Sequence, residues 1–233
     1  MTASSGLAGI VQPLIRGAGL LGFILCLLAS ATAGAQPAFT EIADRTQALE
    51  RLVHADPAQR AAAVQYIGRT GLATDGALLV ERLADESPLV RELAERATWA
   101  VWSRSGDASA DRLLAEGTAQ MSAGRHREAI DLFTRVIRRK PDFAEGWNKR
   151  ATARFLAGDL KRSQADCDEV LKRNPQHFGA LSGYGQILLQ SGDEERALEY
   201  FRRALAVNPN LEGVEHNIRG LEQRLREKRA RTT

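Results

Sequence analysis

A step of 34 residues recurs through the C-terminal half of this 233-residue chain and constrains it more than any other feature. The proline pairs Lys140-Pro141, Asn174-Pro175 and Asn208-Pro209 keep that step, as do Gly124, Gly158 and Gly192. Small residues repeat at Gly117, Ala151 and Gly185, and again at Ala129, Ser163 and Ala197. Each of these positions has a physical reading in a helix–turn–helix unit. A small residue in the first helix lets its partner helix approach closely. A glycine ends that helix, where a left-handed cap is favoured. The residue before a proline is pushed out of the helical region, so each proline pair closes a second helix. Phe133, Cys167 and Phe201 then fall on the inner face of that second helix, with Val136, Val170 and Ala204 about one turn on.

A period of this length with this punctuation resembles the tetratricopeptide repeat (TPR) family. The segments 110–143, 144–177 and 178–211 resemble such repeats along their whole length. Trp147 fits the start of the middle repeat, whereas Gln120, Arg154 and Ser163 depart from the usual apolar or small residues. A single repeat cannot bury its own apolar face, so neighbours stack and the last face needs a cover. Leu211, Val214, Ile218, Leu221 and Leu225 stand at helical spacing and supply it, which assigns 212–233 to a capping helix with a basic tail.

Residues 36–107 carry a different grammar. Asp56-Pro57-Ala58-Gln59-Arg60 is echoed by Asp85-Glu86-Ser87-Pro88-Leu89-Val90-Arg91, and each copy leads into an alanine-rich helix. Ser87 before Pro88 reads as a helix start. Leu89, Leu93, Ala97 and Val101 follow at four-residue steps, and a preceding helix carries Ala77, Leu78, Val80, Leu83 and Ala84. The segment resembles HEAT-like repeats, which implies an aspartate at each turn paired with a nearby arginine. Two copies are few for such an array, so it is expected to lean on the first TPR. The fold class expected is all-α: a right-handed α-solenoid of three TPR helix pairs with a C-terminal capping helix, preceded by a short HEAT-like array.

The N-terminus reads as an export signal over 1–35. Residues 17–29 form an uncharged apolar run after Arg16, and Ala33 and Ala35 offer the small-x-small pattern of a cut after Ala35. The run is shorter than the roughly 20 residues of a spanning helix. An uncleaved anchor is the competing reading. Cys26 lacks the preceding small residues of a lipoprotein site, so lipidation is rejected. After the cut only Cys167 remains, which excludes a disulfide within the chain. Only five of the 32 basic residues are lysine, which points to a GC-rich bacterial source. The expected location is the periplasm.

No GxSxG, HExxH, CxxC or phosphate-binding glycine loop occurs, so no enzyme, cofactor or metal site is expected. His54, His126, His177 and His216 read as ordinary residues of turns and helix surfaces, and Cys167 as an inert core thiol. The net charge of +3 is interleaved, which excludes a nucleic-acid stripe. The TPR resemblance implies a concave face lined by the first helix of each repeat. Carried over residue by residue, that face presents Asp111, Leu114, Thr118 and Met121, then Asn148, Thr152 and Phe155, then Ser182, Gln186 and Leu189. Met121, Phe155 and Leu189 share one repeat position and form an apolar stripe, while Asn148, Thr152 and Gln186 offer hydrogen bonds to a bound backbone. Leu114, Thr118, Gly179 and Gly183 stand where a clamp for chaperone C-terminal carboxylates needs charges and amides, so that subfamily is set aside. The expected function is a non-enzymatic scaffold of the cell envelope holding a partner's peptide or helix. The alternative is a self-associating or membrane-peripheral structural protein. Membrane contact is expected only through an uncleaved N-terminal segment.

Overall fold

A computed structural model describes residues 42–232, which fall within one compact unit holding eleven α-helices. The expected signal segment, 1–35, lies outside the described residues. The N-terminal array contributes α1 (Arg45–Arg51), α2 (Pro57–Thr70), α3 (Gly76–Val80) and α4 (Pro88–Trp102). Asp44 and Asp56 cap α1 and α2, accepting the backbone N–H of Gln47 and Ala58. Ser87 precedes α4, but its hydroxyl makes no capping bond. Asp85 works there instead. It accepts the Ser87 N–H at 2.9 Å and a two-pronged fork from Arg60 at 2.7 and 2.8 Å. The Arg60 hydrogen bonds outweigh burial and hold the Asp85 carboxyl below its ordinary range.

Two expectations for this array need correction. The helix expected over 77–84 is broken: α3 has five residues and passes into a 3-10 turn, Glu81–Ala84. Leu89 is 53% exposed, and the buried stripe of α4 is Val90, Leu93, Ala94, Ala97 and Val101. Strict four-residue steps drift by about 40° each around a helix with 3.6 residues per turn. Over three steps Leu89 therefore lies about 120° around the helix from Val101 and leaves the buried face, on which Leu93, Ala97 and Val101 remain.

The repeats comprise α5 (Ala108–Ser122), α6 (His126–Arg139), α7 (Ala144–Leu156), α8 (Leu160–Arg173), α9 (Phe178–Gln190) and α10 (Glu194–Val207). The second helices α6, α8 and α10 each have 14 residues and begin 34 apart. Gly124, Gly158 and Gly192 end the first helices at φ of 74°, 80° and 83°. After each, the next N–H reaches back to a helix carbonyl, as Arg125 does to Gln120 at 2.9 Å, closing a Schellman cap. A Cβ on Gly117 would meet the Phe133 ring at 2.6 Å, and one on Gly185 would meet Phe201 at 2.6 Å. The middle repeat keeps the fit with a larger first residue and a smaller second, Ala151 and Cys167, both buried. Its other departures find partners within the repeat. The buried Ser163 hydroxyl donates to the Ala151 carbonyl at 2.7 Å, and Arg154 pairs with Asp166 at 2.7 Å.

The capping helix α11 (Glu212–Thr232) buries Val214, Ile218 and Leu221 in the core of the third repeat. Arg224 and Lys228 of α11 anchor it to Glu194 at 3.1 and 2.5 Å. The N-terminal array does reach the first repeat, where Ala73 packs on the cluster of Leu114 and Phe143. Its larger contact is with the third. Phe178 joins the core of the array, and Trp99 meets its ring at a centroid distance of 5.0 Å. Arg91 donates to Asn210 at 3.1 Å, and Asn210 donates to the Leu83 carbonyl at 2.8 Å. The array thus runs along the edge formed by the loops between repeats.

Candidate functional site: the face of the first helices

The residues expected on the concave face fall into three rows across α5, α7 and α9, and the rows differ in accessibility. The row nearest the N-terminal array is committed within the chain. Leu114 is 5% and Asn148 8% exposed. The Asn148 amide donates to Glu145 at 2.9 Å, and the Ser182 hydroxyl donates to the Gly179 carbonyl at 3.1 Å. Asp111 is turned to Ser105, accepting its N–H and hydroxyl at 2.8 and 2.6 Å. The second row is open: Thr152 and Gln186 are exposed, and Thr118 is half-buried. The third row, Met121, Phe155 and Leu189, is half-buried and apolar.

Between α7 and α9 the face sinks into a pocket of about 110 Å³. Ala151, Phe155, Cys167, Ala180 and Ile187 give it apolar walls, Gly179 and Gly183 lie along α9, and Thr152 and Gln186 belong to its polar lining. None of its lining residues is charged. It brings together Asn148, Thr152, Phe155 and Gln186 of the expected set, and leaves Leu114, Thr118, Met121, Ser182 and Leu189 outside. Burial, with the nearby charges of Asp166 and Asp168, pushes the Cys167 thiol up to about 12, so it stays protonated at neutral pH. Among the described residues no group of three or more His, Cys, Asp or Glu stands close enough to hold a metal.

One polar centre escaped the sequence reading. His177 is not a surface residue: it is 0% exposed, in the seam between the array and the repeats. Its Nδ1 accepts the Ala180 N–H at 3.1 Å, which leaves Nε2 to face Glu145 at 3.0 Å. The imidazole stacks on Trp102 at 4.4 Å with a 20° tilt. Burial works against the Glu145 carboxylate, but His177, Lys149 and Asn148 outweigh it and hold it below its ordinary range. The 34-residue register carried the signal, because His177 occupies the position of Phe143 and Leu211. A cavity of about 280 Å³ adjoins this pair, walled by Ala77, Val80 and Trp102 on one side and by Asp142, Arg173 and Gln176 on the other.

The tetratricopeptide repeat family model matches residues 114–163 and 157–211, and those residues are tetratricopeptide repeats. A TPR repeat-containing protein of Rhizobium etli is 35% identical over 124 residues, covering 53% of this chain and 61% of that protein. The small glutamine-rich tetratricopeptide repeat-containing protein of Dictyostelium discoideum is 28% identical, covering 52% of this chain and 37% of its own length. The chain thus spans less than two thirds of either curated relative. The Sgt2 TPR domain of Aspergillus fumigatus superposes with a TM-score of 0.51 at 21% identity, over 53% of this chain and 83% of that domain, and shares the fold.

Proposed function

We propose that the chain is a non-enzymatic protein-binding scaffold whose first-helix face holds a peptide or helix of a partner. The observation that carries this reading is the open strip of Thr152 and Gln186 beside the apolar row of Phe155 and Leu189, around an uncharged pocket. Such a surface offers apolar contact and hydrogen bonds to a backbone, and it holds no nucleophile paired with a base. Leu114, Thr118, Gly179 and Gly183 supply no charge where a clamp for acidic chaperone tails needs one, which weighs against that kind of partner. The apolar run at 17–29 with its small-x-small site supports export, and with it a role in the envelope of a bacterium. The HEAT-like reading of the N-terminal array is supported by the Arg60–Asp85 pair that links its two turns.

A second reading, self-association through the array, is favoured by one observation. Val53, Leu72 and Leu89 are large apolar residues left exposed there. Crosslinking pull-down from cells separates the two. The full chain serves as bait beside a Thr152→Arg/Gln186→Arg variant, whose exposed sites tolerate substitution within about 0.5 kcal/mol. A partner held by the wild type and lost by the variant supports the scaffold. Recovery of only the bait itself by both supports self-association.

A further inference from the structure

Glycine in a helix interior weakens the helix relative to alanine, so it needs a reason. In α9, Gly179 and Gly185 have one: a Cβ would meet the Trp99 ring at 2.3 Å and the Phe201 ring at 2.6 Å. Gly183 has none among the described residues. A Cβ there meets nothing within 4 Å, and its φ is not in the left-handed region. It lies instead on the uncharged pocket between α7 and α9.

We propose, building on the scaffold reading above, that Gly183 opens an anchor site for one branched aliphatic side chain of a partner polypeptide. The absent side chain lets the partner approach the helix backbone closely. The charge pattern selects the occupant. The 13 residues of α9 include no Asp, Glu, Lys or Arg, and no charged residue lines the pocket. An ionised group brought here would lose its water without gaining a counter-ion, so the segment around the anchor is neutral. Size narrows the choice further. With about 110 Å³ between apolar walls, the pocket has room for a side chain the size of leucine, isoleucine or valine. The Gln186 amide stands exposed beside the pocket to hydrogen-bond the backbone flanking the anchor, and the Thr152 hydroxyl, which donates to the Asn148 carbonyl at 3.0 Å, can accept from it.

The test selects random dodecapeptides with free C-termini on the full chain, then measures the enriched peptides against variants. Peptides with an aliphatic residue in a stretch poor in Asp, Glu, Lys and Arg are expected. Gly183→Ala should weaken them by about tenfold and Gly183→Leu should abolish their binding. Gly183→Ala should at the same time raise Tm by about 2–4 °C, because it improves the helix. A glycine kept for structure gives the opposite: lower Tm, with binding lost only through unfolding. Enriched peptides that are acidic or anchored by an aromatic residue overturn the assignment. So do peptides insensitive to both Gly183 variants but lost with Thr152→Arg/Gln186→Arg, and in that case the scaffold reading stands. If no enriched peptide responds to any of these variants, the scaffold reading itself fails.

Discussion

Replacing Gly179 with alanine probes the contact between the N-terminal array and the third repeat. The new Cβ would lie 2.3 Å from Trp99 Cη2, 3.2 Å from Cζ2 and 3.3 Å from Cζ3. To restore van der Waals contact the indole must retreat by about 1 Å. It cannot do so alone, because its edge contacts with Trp102, His177 and Phe178 lie at centroid distances of 5.7, 5.7 and 5.0 Å. Over-packing of this kind costs about 1–3 kcal/mol. Removing a helical glycine returns at most about 0.5–1 kcal/mol, and less at the second residue of α9. The expected net effect is a loss of about 1–2 kcal/mol, seen as a lower midpoint in urea at unchanged m-value. Repeating the substitution in a Trp99→Leu background removes the obstructing ring, so Gly179→Ala should then be neutral or stabilising. The resulting coupling energy of about 1–3 kcal/mol is the signature of direct contact. An equal effect of Gly179→Ala in both backgrounds would refute the docking of Trp99 on α9.

The middle repeat makes a related prediction. Cys167→Phe should destabilise by about 1–3 kcal/mol, because Ala151 occupies the space that glycine leaves open in the flanking repeats, and Ala151→Gly should relieve part of that loss. The Cys167 thiol, pushed up to about 12, should resist iodoacetamide in the folded chain and react only after denaturation. Hydrogen bonds from Arg139, and then from the Ala110 and Ser109 N–H groups, hold the Asp107 carboxyl at about 2. Its folded value lies below the unfolded one of about 4, so its stabilising contribution is present above that value and fades as the pH falls toward 2. Carboxyl NMR should place the Asp107 midpoint near 2, and Arg139→Gln should move it up toward the ordinary range.

The parts of the fold legible in the sequence were those written in local spacing. Gly124, Gly158 and Gly192 all take positive φ, and α6, α8 and α10 start on the same step, because caps and helix ends depend on residues a few positions away. Arg60 with Asp85 was also within reach, since both ends belong to one echoed motif. Contacts at long separation left no such trace. Arg91 reaches Asn210 across 119 residues, and nothing near either one foretells it. Leu114 and Asn148, placed on the concave face by register alone, turn out to be buried for the same reason of distance in sequence: Leu114 sits in a cluster with Phe133 and Phe143 on which Ala73 of the array packs, and Asn148 donates to the buried Glu145 that faces His177. His177 was misread for a different reason. Histidine is usually polar surface, and here an apolar register position overrides that habit through Trp102 and Glu145. Gly183 carried its message only once the space beside it could be seen to be empty.

On the scaffold reading, a partner lies on the open strip of the first helices. It is tested most directly by placing a photoreactive amino acid, one position at a time, at Thr152, at Gln186 and at the exposed Arg135 of α6. After irradiation in cells, crosslinked partner is expected from positions 152 and 186 and absent from 135. Crosslinking from 135 that equals or exceeds that from the strip would contradict the account.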